Sequence, residues 1–255
     1  MRYWHFYLLI GLVVFFACNT SSTNRDIAKL HLFECYTSDS TKLDIQLLEH
    51  DSVISGIMRL PSHSRDSSLV LIADEKTRDT TLRLTAYNKL GDVQAILILP
   101  CTGNTATGEF YKLTEHKPSI LTCTYATRDT VVKKPITDAA INYSGQYQYS
   151  FGTNQYSGIL ELVRIHDSHY VFSLLALGRG EAPPIAAIEA DTIVISGSQF
   201  TYKHKSCKNC VIKVRLNEKF CIVNYLQAED CYSAVGNGAS LAGNFIKISK
   251  LVARN

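Results

Sequence analysis

Short runs of alternating or continuous apolar residues, each closed by a polar turn, recur along the chain. They fall at 43–48, 53–60, 69–73, 82–86 and 93–99, and again at 159–165, 170–177, 192–195, 210–216, 220–226 and 241–248. Segments of roughly five to eight residues at such close spacing predict antiparallel strands, and no long stretch carries helical periodicity. The fold class that follows is all-β, built as an antiparallel sandwich or barrel.

An internal repeat accounts for the length. His50-Asp51-Ser52 lies between two apolar runs, and His166-Asp167-Ser168 recurs in the same setting 116 residues later. Gly108, Phe110 and Lys112 recur as Gly243, Phe245 and Lys247, 135 residues on, so the second copy carries 19 extra residues. This order of landmarks predicts two β units related by duplication. The expected boundaries are a leading segment at 1–17, a cysteine and tether at 18–28, unit 1 at 29–127, a linker at 128–139 where charge and Pro135 concentrate, and unit 2 at 140–255.

The N-terminus gives an address. A basic start precedes an apolar run at 7–16, which is about half of the roughly 20 residues that span a bilayer, and Ala17 stands directly before Cys18. The arrangement resembles the signal peptide and lipobox of bacterial lipoproteins, although Phe15 and Phe16 are bulkier than that pattern. The resemblance implies cleavage before Cys18, lipid on its thiol and a membrane as partner through that lipid. Residues 19–24, Asn-Thr-Ser-Ser-Thr-Asn, form a polar spacer. They lack the acidic cluster that sends some lipoproteins to the outer surface, which favours the periplasmic side.

Charge changes the picture by exclusion. With 26 Lys and Arg against 23 Asp and Glu, the chain has no dominant basic stripe, and nucleic acid is not an expected partner. An apolar content of 46%, with 14 Tyr and 10 Phe, describes a packed globular protein rather than a disordered one. Setting Cys18 aside leaves seven cysteines, an odd number, so in an oxidising compartment at least one stays free.

Candidate chemistry concentrates near residue 207. His204, Cys207 and Cys210 have zinc-ligand spacing, with Cys231 as a fourth donor, but in an exported chain disulfides take precedence over metal, and no cofactor is expected. The hairpin formed by 210–216 and 220–226 brings Cys210 close to Cys231, making this the first-choice bridge, with Cys207 to Cys231 second and Cys221 as a further candidate. His166 and His169 could share a metal if their rings faced one way, although Asp167-Ser168 is also a good hairpin tip. Lys203, Lys205 and Lys208 form a local basic patch, read by default as a solvated loop. No nucleophile elbow, phosphate loop, zinc-protease or dinucleotide motif is present, and the acidic pairs Glu229-Asp230 and Glu189/Asp191 cannot be placed across a cleft from sequence.

The segment SGSQFTY at 196–202 fits Ser-Gly-x4-Tyr. It thereby resembles the lysozyme-inhibitor lipoproteins, small β-barrel proteins of the bacterial envelope that plug the lysozyme cleft. The resemblance implies that Ser196, Gly197 and Tyr202 lie on a partner-binding loop and that lysozyme is a partner. That family's second motif, Tyr-x3-Thr-Lys-Gly, does not occur here, and a strand after a Ser-Gly turn reads the same residues as well. The functional expectation is a lipid-anchored, non-catalytic envelope lipoprotein acting by binding or as an envelope component. A lysozyme-inhibitor-like protein and a β-rich hydrolase with dispersed catalytic residues are the alternatives.

Overall fold

The computed structural model describes residues 27–50, 52–60, 68–74, 81–100, 105–115, 117–133, 141–207, 209–229, 231 and 238–248. Within them the chain forms sixteen strands. The first eight are β1 (Ile27–Thr37), β2 (Lys42–His50), β3 (Val53–Arg59), β4 (Ser68–Ala73), β5 (Thr81–Tyr87), β6 (Val93–Pro100), β7 (Thr105–Lys112) and β8 (Ser119–Lys133). Each pairs antiparallel with its neighbour, and β8 returns to β1 to close a barrel. Cys35 and Cys123 face each other across that closing pair and are bonded.

Period-2 alternation decides which side faces in. On β2, Leu43, Ile45 and Leu47 are buried in the barrel core, while Asp44 and Gln46 between them are exposed. An apolar interior is the reverse of the polar lumen of a barrel that spans lipid. Phe33, Met58, Leu71, Leu84, Leu97 and Phe110 help fill the interior.

The second eight strands are β9 (Gly145–Ser150), β10 (Ser157–His166), β11 (His169–Leu177), β12 (Ile185–Val194), β13 (Gln199–Lys203), β14 (Val211–Leu216), β15 (Phe220–Gln227) and β16 (Gly243–Ile248). They follow the same circular order, with β9 pairing β16, so this sheet curls into a second barrel-like unit left open between β12 and β13. The first unit is therefore a closed barrel and the second a barrel-like sheet, consistent with two related units. The first landmark agrees: His50 and Ser52 lie where β2 passes to β3, and 166–168 where β10 passes to β11, with positive φ at Ser52 and Asp167. The second does not, because Gly108 lies on the seventh strand of its unit and Gly243 on the eighth.

Two boundaries move. Strand β8 continues through Lys133, paired with Ile27, so part of the expected linker and the last two residues of the expected tether are strand. Ladder hydrogen bonds between β1 and β8 hold this end, and they do not register as an apolar run.

Some strands read as continuous apolar runs because both faces are covered. On β4, Leu71 faces its own core while Ile72 faces the other barrel, and neither is exposed. Ile72, Tyr87 and Val93 join the same buried cluster as Phe220, Ile222 and Ile246 of the second barrel. The tip of the β5–β6 hairpin also docks on β9: the Ser150 amide donates to Gly91 O at 3.1 Å, and the Gln148 side-chain amide donates to Leu90 O. Gly91 has φ +81°, and a Cβ there would lie 2.3 Å from Gln148 O, so this approach requires glycine. Asn88 fixes the tip by accepting from the amides of Leu90 at 2.8 Å and Asp92 at 2.9 Å.

Candidate functional site

Among the described residues, two clefts lie where the outward faces of the barrels diverge. The first, about 900 Å3, lies between the β4–β6 face and the β15–β16 face. Its polar groups come from both barrels. Asp74 and Arg83 form an ion pair at 3.2 Å, and their backbones are joined by the Asp74 amide donating to Arg83 O at 3.0 Å. Burial pushes the Asp74 carboxyl above the ordinary carboxylate range, and Arg83 opposes that shift. Opposite stand Asn224, Asn244 and Ser240. Tyr87 hydrogen-bonds Asn244 and Thr85, which ties the wall of one barrel to the other, and burial pushes its phenol far up.

Aromatic rings complete this cleft. Tyr149 packs edge-on against Phe245 at 4.8 Å and Phe151 at 6.2 Å. Gly158 and Gly243 flank its ring, and a Cβ at either would come within 2.6 Å and 2.9 Å of it, respectively. Burial pushes the Tyr149 phenol up to about 12. The Tyr225 hydroxyl accepts from the Leu241 amide at 2.8 Å, and Tyr156 is 42% exposed at the margin. The arrangement offers a ring face, a carboxylate, a guanidinium and two primary amides to one ligand.

The second cleft, about 820 Å3, has apolar walls from Leu48, Ile57 and Val70 on one barrel and Phe220, Ile246 and Ile248 on the other. Lys89, Lys219, Lys247 and Glu218 also line it.

Residues singled out from sequence lie elsewhere. Cys18 is outside the described residues, as are Cys101, Lys208 and Asp230. Cys210 and Cys231 are bonded across 21 positions, while Cys207 and Cys221 are free. That bond takes two of the four donors from the zinc arrangement, and among the described residues no three His, Cys, Asp or Glu side chains converge on a metal position. Cys221 is wholly buried, and burial pushes its thiol well up. His166 and His169 stack across the hairpin end at 4.3 Å, so their rings do share one side, without a third donor. Lys205 pairs with Asp191 at 2.9 Å, and this contact, foremost among several, holds the Asp191 carboxyl below its usual range.

The segment 196–202 is a tight turn followed by strand. Ser196 and Gln199 bridge across Gly197-Ser198, and these four residues are exposed. Gly197 has φ +63° and open space where a Cβ would stand. Tyr202 points into the barrel, edge-on to Phe172 at 5.5 Å, and burial together with Asp191 pushes its phenol up to about 12.

Sequence reasoning missed both clefts and the Cys35–Cys123 bond. Arg83, Asn224 and Asn244 sit at outward positions of apolar strands, where polar interruptions were the available signal. Cys35 and Cys123 each occupy an inward phase of an alternating strand, which marks them as core residues without naming a partner. Compared with protein-family models, curated proteins and solved structures, the chain gives no match.

Proposed function

We propose that the protein is a lipid-anchored, non-catalytic binding protein of the bacterial cell envelope, held by lipid on Cys18 and facing the periplasm, that takes a saccharide-like ligand in the cleft between Arg83 and Tyr156. The observation that carries this reading is the convergence of Asp74, Arg83, Asn224 and Asn244 on a cleft walled by tyrosines. Its volume of about 900 Å3 lies within the range of small-ligand sites. Aromatic faces suit the apolar face of a sugar ring, and planar side chains with paired donors or acceptors suit adjacent hydroxyl and amide groups.

Two features favour binding over hydrolysis. Asp74 is the lone carboxylate among the described lining residues, and it is committed to Arg83 rather than set across from a second acid. The lining serine, Ser240, donates no path to a histidine there, since the described lining holds none. In the lysozyme-inhibitor alternative the exposed turn at 196–199 would meet the partner without Tyr202, which is turned into the barrel. A chain beginning at residue 19 retains every described strand and can be titrated calorimetrically with mono- and disaccharides, N-acetylated ones included. Binding should weaken at least tenfold in Arg83→Ala and Tyr156→Ala, with the ligand recovered unchanged. Absence of binding across the panel, equal affinity in both variants, or recovery of cleaved ligand would each overturn the reading.

A further inference from the structure

We infer that the second cleft, rimmed by Lys89, Lys219 and Lys247, is a separate site for a single-chain anionic amphiphile whose alkyl chain lies between the barrels and whose headgroup meets the lysines. The proposal does not rest on the saccharide reading, which concerns the other cleft.

The apolar walls are the starting point. Leu48, Ile57 and Val70 alternate with Leu47, Met58 and Leu71, which fill the first barrel, so they face outward by strand geometry. Phe220 and Ile246 alternate in the same way with the inward Cys221 and Phe245 of the second barrel. Where the same two outer faces meet at Ile72, Tyr87 and Ile222, they pack and bury each other. Beside that contact the faces diverge around a cleft of about 820 Å3. Leu48, Ile57 and Ile248 line this gap at the edge of the buried contact that holds Val70, Phe220 and Ile246, and an apolar lining of that kind suits an apolar occupant.

Charge selects the headgroup. Lys219 and Lys247 line the cleft together with Lys89, and Glu218 is the one carboxylate among its described lining residues. Lys247 is the best placed: its ammonium donates to Asn142 O at 3.3 Å and lies 5.5 Å from the Tyr147 ring centroid, which holds it at the wall. Burial lowers the Lys247 pKa, and the neighbouring Glu218 carboxylate only partly offsets that cost. A carboxylate beside it would supply a further counter-charge, whereas a cationic head would meet repulsion and a neutral chain would leave the rim unused.

The test is a calorimetric series below micelle formation, with the chain from residue 19 and decanoate, dodecanoate and tetradecanoate as probes. Affinity should rise about fourfold per added methylene, the equivalent of ~0.8 kcal/mol for each CH2 taken from water. Lys219→Gln with Lys247→Gln should weaken dodecanoate at least fivefold and leave dodecanol unchanged. Lys219→Gln alone, at a less enclosed position, should give part of that loss if the double variant fails to fold. Intact phosphatidylglycerol vesicles separate a free chain from a membrane surface, and the proposal expects no binding to them by this unlipidated chain. No binding of any carboxylate, affinity independent of chain length, equal loss for dodecanol, lysine variants without effect, or vesicle binding in place of free-chain binding would each overturn it.

Discussion

Replacing Ile72 by alanine tests the packing on which both clefts depend. In an ordinary half-buried strand, one of two adjacent residues faces water, yet Leu71 and Ile72 are both fully buried. Truncation at Ile72 deletes three carbons from the contact between barrels and leaves a cavity, because Tyr87 and Val93 are held by their own strands. Large-to-small changes at such sites cost about 2–5 kcal/mol, and about 3 kcal/mol is expected here. With a urea dependence of about 2.5 kcal/mol per molar, the unfolding midpoint should fall by roughly 1.2 M. Val163→Ala on β10 is the control, since Val163 is 49% exposed on an outward face and its truncation should change stability by no more than about 0.5 kcal/mol. Urea unfolding followed by tyrosine fluorescence and far-ultraviolet circular dichroism measures both. An Ile72→Ala midpoint within error of Val163→Ala would refute the packing of the two barrels through their outer faces.

Other consequences are readable by similar means. The Cys35–Cys123 bond closes 88 positions and Cys210–Cys231 closes 21, so loop-closure entropy assigns them about 4.6 and about 3.3 kcal/mol; paired Cys→Ala variants should rank in that order in urea, and the reverse order would count against this reasoning. A thiol reagent followed by peptide mapping should label Cys207 in the native protein and Cys221 only after denaturation, and native labelling of Cys221 would contradict its burial. Burial raises the Asp74 carboxyl, so the folded chain keeps a proton that the unfolded chain releases; its stabilising effect is full below about pH 4 and is lost as pH rises through the folded value. Stability measured upward from pH 3.5 should therefore fall less steeply in Asp74→Asn, and identical slopes would remove the claim.

Alternation made the class of fold legible and located strands such as β2, β6 and β10, whose buried positions are Leu, Ile, Val or Ala apart from Gly158. Strands β1, β7 and β9 escaped because Lys, Glu, Thr and Gln separate their buried residues; on β9 only Tyr147 and Tyr149 mark the core. In β1 the pairing with β8 shifts register on both sides of Leu32, which breaks the period that a sequence reading follows. The hairpin geometry around Cys210 and Cys231 was local enough to reason through. The clefts were not, because they arise where outward residues of strands far apart in the chain, such as Arg83 and Asn244, face one another across a contact between barrels. Continuous apolar runs in β4 and β15 carried the trace of that contact, since a strand covered on both sides needs no polar phase.

Hydrogen–deuterium exchange with a saturating saccharide from the titration tests the binding account most directly, because it reports where the ligand sits along the chain. Slowed exchange is predicted at 83–87 on the first barrel together with 149–156, 224–225 and 240–244 on the second, and its loss in Arg83→Ala. Slowing confined to one barrel, or centred on 196–202, would contradict a ligand site built between the two.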